Sequence, residues 1–189
     1  MQPPSVREAR RGDALDIATI QVRSWQATYA YGLDNDWLAA LEPVREAVRH
    51  EARLRDDTYP AVYFIVRRGG RTLGYSMCGP ERSGDGPLPP AYGEVGEVYA
   101  LYVLPEAVGS GLGRLLLIRA RDHLLERGCS SMLLWVMKGN ERAIRFYARQ
   151  GLPLDGASKE DGREGAGRWT DLRCSASLRD ICAERATEG

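Results

Sequence analysis

Charge of one sign is what this sequence most plainly lacks. Across 189 residues, 26 basic side chains balance 26 acidic ones, and the isoelectric point is near 6.7. With no surplus there is no electrostatic footprint for nucleic acid or for an anionic membrane surface, so neither partner is expected. Lysine is nearly missing: only Lys138 and Lys159 are present, and arginine carries the rest of the positive charge. There are two histidines and four cysteines, and Cys78, Cys129, Cys174 and Cys182 show no CxxC spacing. That argues against zinc or any other metal and fits a reduced, cytoplasmic setting. No apolar run reaches the roughly 18–20 residues of a membrane span. The opening MQPPSVREARRG has no hydrophobic signal region. What is present is apolar content of 43%, enough for one domain, taken as residues 5–178 with 179–189 as a possibly disordered tail.

The chain is organised around EVGEVYALYVLPEAVGSGLGRLLLIRA, residues 94–120. Glu97 to Val103 is a β-branched and aromatic run that Pro105 stops. Gly109, Gly111 and Gly113 follow at alternate positions, then the helical repeat Leu112, Leu115, Leu116, Ala120. A glycine turn ahead of a helix presents unpaired N–H groups at the positive end of the dipole, which suits a phosphate or pyrophosphate. Arg114 adds a charge-assisted bond to the same anion. On the turn alone, a merely tight turn is as good a reading. A Walker A loop is excluded because no Lys-Ser or Lys-Thr closes the turn. The dinucleotide fingerprint GxGxxG is excluded because Arg114 stands where its last glycine would be.

Around this stretch the pattern predicts a first strand at Ser5–Ala9. Next comes a helix capped by Asp13, with Leu15, Ala18, Val22, Trp25 and Tyr29 as its apolar stripe. Trp25 and Tyr29 belong to the core or line an acceptor pocket, with core favoured. A short helix at Trp37–Leu41 precedes one opened by Pro43, with Val44, Ala47, Val48 and Leu54 on one side. Val62–Arg67 and Thr72–Cys78 read as a hairpin around Arg68-Gly69-Gly70-Arg71. Gly79 to Gly93, rich in Pro and Gly, reads as a long exposed loop, a surface excursion or a flap over the site. The helix after the glycine turn ends at Gly128, and His123 on it reads as a partly exposed surface residue without a role. Ser131–Met137 is a strand one helical crossover from the central one, which makes that pair parallel.

Two motifs together carry a resemblance. The turn GSGLGR resembles motif A, [QR]xxGx[GA], of the GCN5-related N-acetyltransferases: Gly111 and Gly113 match, and Val108 replaces the usual Gln or Arg. Asn140, Ala143, Phe146, Tyr147 and Gly151 resemble motif B, NxxAxxFYxxxGF, with Leu152 for the final Phe. RWTDLRCSASL resembles the usual last strand, and the SWQATY helix resembles one bacterial branch. The resemblance spans nearly the whole chain. It implies an α/β fold, the acyl-CoA N-acyltransferase fold, with a mostly antiparallel mixed sheet, one parallel strand pair that splays apart, and flanking helices.

The resemblance also implies a chemistry: transfer of an acetyl group from acetyl-CoA to a primary amine, by direct attack on the thioester. The pyrophosphate is expected on Val108, Gly109, Ser110, Gly111, Leu112, Gly113 and Arg114. The pantetheine arm is expected along Leu101, Tyr102 and Val103, with Asn140, Ala143 and Tyr147 on the other wall. Tyr147 is the candidate general acid at the coenzyme A sulfur, or else a packed aromatic beside Phe146. Asn140 is a ligand of the pantetheine, an N-cap, or both. Glu97 is the candidate general base, with Glu94 or water as substitutes, unless it faces solvent or pairs with an arginine. The early helices form part of the acceptor wall, with Trp25 and Tyr29 as candidate contacts. A catalytically silent acyl-CoA-binding module is the alternative. Either a monomer or a homodimer fits.

Overall fold

A computed structural model describes residues 2–82 and 88–179 of the chain. Cys182, most of the expected tail and the middle of the expected 79–93 loop lie outside the described residues.

The elements follow in the order β1 (Ser5–Glu8), α1 (Ala14–Thr28), α2 (Asn35–Ala39), α3 (Pro43–Arg55), β2 (Val62–Arg68), β3 (Arg71–Pro80) and β4 (Val95–Val103). Then come α4 (Leu112–Glu126), β5 (Ser131–Met137), α5 (Glu141–Arg149), β6 (Leu154–Arg163) and β7 (Gly167–Ser177). The strands form one sheet in the order β1-β2-β3-β4-β5-β7-β6. Only β4 and β5 run parallel, joined through α4; the other neighbours are antiparallel. This is the mixed α/β architecture expected of the fold.

Neighbouring strand residues show which helices cover which face. Ser76 Oγ approaches the Leu116 carbonyl at 3.5 Å, so that face carries α4. Its neighbour Tyr75 turns the other way and donates its hydroxyl to Gln21 of α1 at 3.3 Å. The main core, with Phe64, Leu112, Leu116, Leu124, Met132 and Leu134, fills the sheet's contacts with these helices. Gly96 is required where β4 meets α4, since a Cβ there would lie 2.5 Å from Leu124 Cδ2.

Several sequence expectations are corrected. Asp13 precedes α1 without capping it through its side chain. Its carboxylate instead accepts from Arg7 (2.8 Å to each oxygen) and the Arg10 N–H (2.7 Å), tying β1 to the entry of the helix. Leu15 is 51% exposed, and Ile17, Ile20 and Gln21 are buried instead. On α3, Val44 and Val48 are about 70% exposed and His50 is buried, because the aromatic sheet face opposite offers polar partners to a histidine. His123 is buried too, with Nε2 3.0 Å from the Tyr92 hydroxyl. β3 continues to Pro80, into the stretch expected to be loop. β6 was not legible: LDGASKEDGR is polar and glycine-containing, and it forms an edge strand that exposes much of its length.

Candidate active site

β4 and β5 pair only from Val95–Val98 against Ser131–Leu134. Beyond Val98 they part. The register of β4 against β3 shifts at the same point, between Met77 and Cys78, which pair with Ala100 and Val98 and leave Tyr99 as the extra residue. A bulge of this kind bends the strand and leaves ladder groups unpaired. The gap holds a cavity of about 340 Å³ lined by Val98 to Val103, Leu134 to Val136, Asn140, Ala143, Phe146 and Tyr147, and reaching Val108 and Gly109.

At that end stands the glycine turn. Gly109 and Gly111 have φ of +83° and +81°, values that L side chains rarely adopt. Gly111 is the N-cap of α4 and provides no side-chain cap. The first intrahelical bond runs from the Leu115 N–H to the Gly111 carbonyl (3.3 Å), so the amides of Leu112, Gly113 and Arg114 lie ahead of it. The Leu112 side chain is in the core, which leaves only its main chain for a ligand. A Cβ on Gly113 would sit 3.5 Å from Phe146. Ser110 donates its hydroxyl to the Ala107 carbonyl (2.6 Å) and Val108 is part-exposed.

The opposite wall is α5. Asn140 Oδ1 accepts the Ala143 N–H (3.2 Å), so the residue caps α5 while also lining the gap. Tyr147 is buried, its ring 5.2 Å from that of Phe146, and burial holds its phenol well above the ordinary tyrosine pKa. Ser24 donates to the Val103 carbonyl (3.2 Å), leaving that oxygen one lone pair for a ligand. Trp25 and Tyr29 each pack against a small cluster of Leu33, Leu38, Met137 and Ala166; Trp25 also lines the second cavity described below, and Tyr29 lines the gap.

Glu97 does not fit the expectation of a carboxylate free to take a proton. It is 1% exposed and lines neither this gap nor the neighbouring cavity. One oxygen accepts the Arg82 main-chain N–H (2.9 Å), and the other accepts Arg82 Nε (2.9 Å) and a terminal guanidinium nitrogen. Register explains the change: Glu97 lies opposite Gly79, and the chain turning past Pro80 brings Arg82 over it. Glu94 is exposed, and its carbonyl accepts from the Ser130 and Ser131 amides just before the strands begin to pair.

A second cavity, of about 560 Å³, shares Tyr99, Ala100 and Tyr102 with the first and extends beneath α1 and α3. Its lining includes Trp25, His50, Tyr75 and four arginines: Arg49, Arg53, Arg82 and Arg163. His50 Nε2 lies 2.8 Å from Gln21 Oε1, and Nδ1 lies 3.2 Å from the Tyr63 hydroxyl, which also accepts from Arg53 (3.3 Å). Burial, with Arg49 and Arg53 nearby, lowers the His50 pKa to about 4. Sequence reasoning missed this network because α3 was oriented by its valines. The residue types on the strands opposite were the available signal: tyrosines at positions 63 and 75, one on each arm of the hairpin.

The sequence model of the acetyltransferase (GNAT) family matches residues 20–152. The chain belongs to that family. It is 33% identical over 144 residues to the uncharacterized N-acetyltransferase YuaI of Bacillus subtilis, covering 76% of this chain and 78% of that one. Two solved structures share its fold. PaiA N-acetyltransferase of Thermoplasma acidophilum, in complex with coenzyme A, superposes with a TM-score of 0.66 at 17% identity, covering 93% of this chain and 99% of that one. YncA of Salmonella typhimurium, a putative acetyltransferase with its cofactor acetyl-CoA, gives 0.66 at 24% identity, covering 93% and 94%. No helix among the described residues of this GNAT chain is long and apolar enough to cross a membrane. Among them, no three His, Cys, Asp or Glu side chains gather as a metal site.

Proposed function

We propose that the chain is an acetyl-CoA-dependent N-acetyltransferase acting on a primary amine. The observation that carries this reading is the parting of β4 from β5 after Val98, which opens a cavity running from Tyr147 to the glycine turn. The residues fit the cosubstrate: unpaired amides at the α4 N-terminus suit a diphosphate, and the free edge of β4 suits the amides of pantetheine. When bound, acetyl-CoA supplies the thioester that an amine attacks, with the thiolate leaving.

The chain's residues then have distinct tasks. Leu112, Gly113 and Arg114 hold the diphosphate through their amides, and Leu101 and Val103 hold the arm. Asn140 retains its amide nitrogen for the same arm while its oxygen caps α5. Tyr147 donates its hydroxyl proton toward the leaving sulfur, and its raised pKa keeps that proton in place at neutral pH. Water takes the amine's proton, since Glu97 is held by Arg82.

Calorimetry with acetyl-CoA, paired with thiol release over a panel of amines, tests the reading. Saturable binding and release on at least one amine are expected. Absence of binding sinks it. Binding without release on any amine supports a silent acyl-CoA-binding module instead, a reading favoured by the engagement of Glu97.

A further inference from the structure

We infer that the acceptor of this GNAT protein carries a carboxylate beside its amine, and that the arginine-lined cavity receives it. The inference rests on the acetyltransferase reading and names its substrate class: small amino acids and their close analogues.

The cavity adjoins the β4 edge at Tyr99, Ala100 and Tyr102, so a molecule filling it presents one end to the gap between β4 and β5. About 560 Å³ is the size of a small-molecule site. Its ionisable lining is one-sided. Arg49, Arg53, Arg82 and Arg163 line it together with His50, which is neutral at pH 7, and among the described residues no carboxylate does.

Among the described residues, two carboxylates touch these arginines from outside the lining. Glu46 is 2.9 Å from Arg49 and 3.9 Å from Arg163, and Glu97 holds Arg82. Asp161 and Asp171 also lie near enough to act on Arg82, so the positive charge left uncompensated among the described residues is on the α3 side of the cavity. It is clearest at Arg53, whose contacts are the Tyr63 hydroxyl at 3.3 Å and the Tyr59 ring at 5.5 Å; among the described residues no carboxylate pairs with it. Arg49 Nε is also buried without a hydrogen-bond partner.

A half-buried cluster of guanidinium groups is costly unless an anion completes it, and their planar forks match a carboxylate. The whole chain is neutral, so this concentration is local and not a consequence of composition. The same field disfavours a protonated amine, which helps deliver the neutral nucleophile where Glu97 is unavailable as base.

The test compares free amino acids with their own carboxamides: leucine with leucinamide, and phenylalanine with phenylalaninamide. Thiol release is followed in wild type, Arg53→Gln and Arg53→Lys, after acetyl-CoA binding has been verified by calorimetry. Wild type is expected to favour the acid over the amide by at least about tenfold in kcat/KM, the size of one charge-assisted hydrogen bond. Arg53→Gln is expected to pull that ratio toward one, and Arg53→Lys to restore part of it. General damage to the fold would lower both members alike, and a ratio unchanged in Arg53→Gln counts against the proposal. If acetyl-CoA binds and the carboxamides or simple alkyl amines are preferred, or no free acid reacts, the acceptor inference is overturned. Failure of acetyl-CoA to bind overturns the acetyltransferase reading itself.

Discussion

At the scale of single residues, Tyr147 and Glu97 were the two expected to do chemistry, and the fold treats them differently. Tyr147 is buried in the wall of the gap with its proton held firmly. Tyr147→Phe is expected to lower kcat by about 10²–10⁴-fold, the usual size of a general-acid contribution, while calorimetry shows acetyl-CoA affinity little changed. Glu97 is part of a buried ion pair. Arg82→Ala would strand that carboxylate and is expected to cost roughly 3 kcal/mol in urea unfolding. Glu97→Gln is expected to leave the acidic limb of the pH–rate profile where it stands, because in the proposed reading water takes the amine's proton and Glu97 stays paired with Arg82. A displaced limb would restore Glu97 as base.

At the scale of elements, the turn before α4 and the seam between β4 and α4 depend on glycine for opposite reasons. Gly111 needs none of its neighbours' space; it needs φ of +81°. Gly111→Ala is expected to lose about 1 kcal/mol and to weaken acetyl-CoA binding, since the strained backbone turns the following amides away. Gly96 has an ordinary conformation and no room. Gly96→Ala drives a methyl into Leu124 and is expected to cost about 1–3 kcal/mol in urea unfolding with acetyl-CoA affinity nearly intact. The two variants separate backbone geometry at the site from packing behind it.

At the scale of the whole molecule, stability should depend on pH through the network under α3. His50 is 2% exposed and titrates near 4 when folded, against about 6.5 in the unfolded chain. Between those values the unfolded chain binds more protons, so this residue's contribution is complete above pH 6.5 and is lost as pH falls toward 4. The loss amounts to about 3 kcal/mol from His50 alone. Unfolding free energies measured from pH 7 down to pH 4 should fall less steeply in His50→Gln than in wild type. Parallel profiles would mean that the histidine is not held neutral.

Local chemistry in the chain was enough to determine the central strand, the glycine turn, the parallel crossover to β5 and the N-cap at Asn140. In each, neighbours in sequence are neighbours in space: a β-branched run ended by proline, glycines before a helical repeat, an asparagine immediately ahead of a helix. The fold class followed from the family resemblance that motifs in the same stretches carry. The tertiary structure alone decided which face of α3 is buried, that Arg82 returns to cover Glu97, and that four arginines from α3, β6 and the chain beyond β3 meet in one cavity. Such facts depend on side chains far apart in sequence competing for the same buried space, and the winner there is set by polar partners on the opposing sheet face rather than by the apolar period of the helix itself.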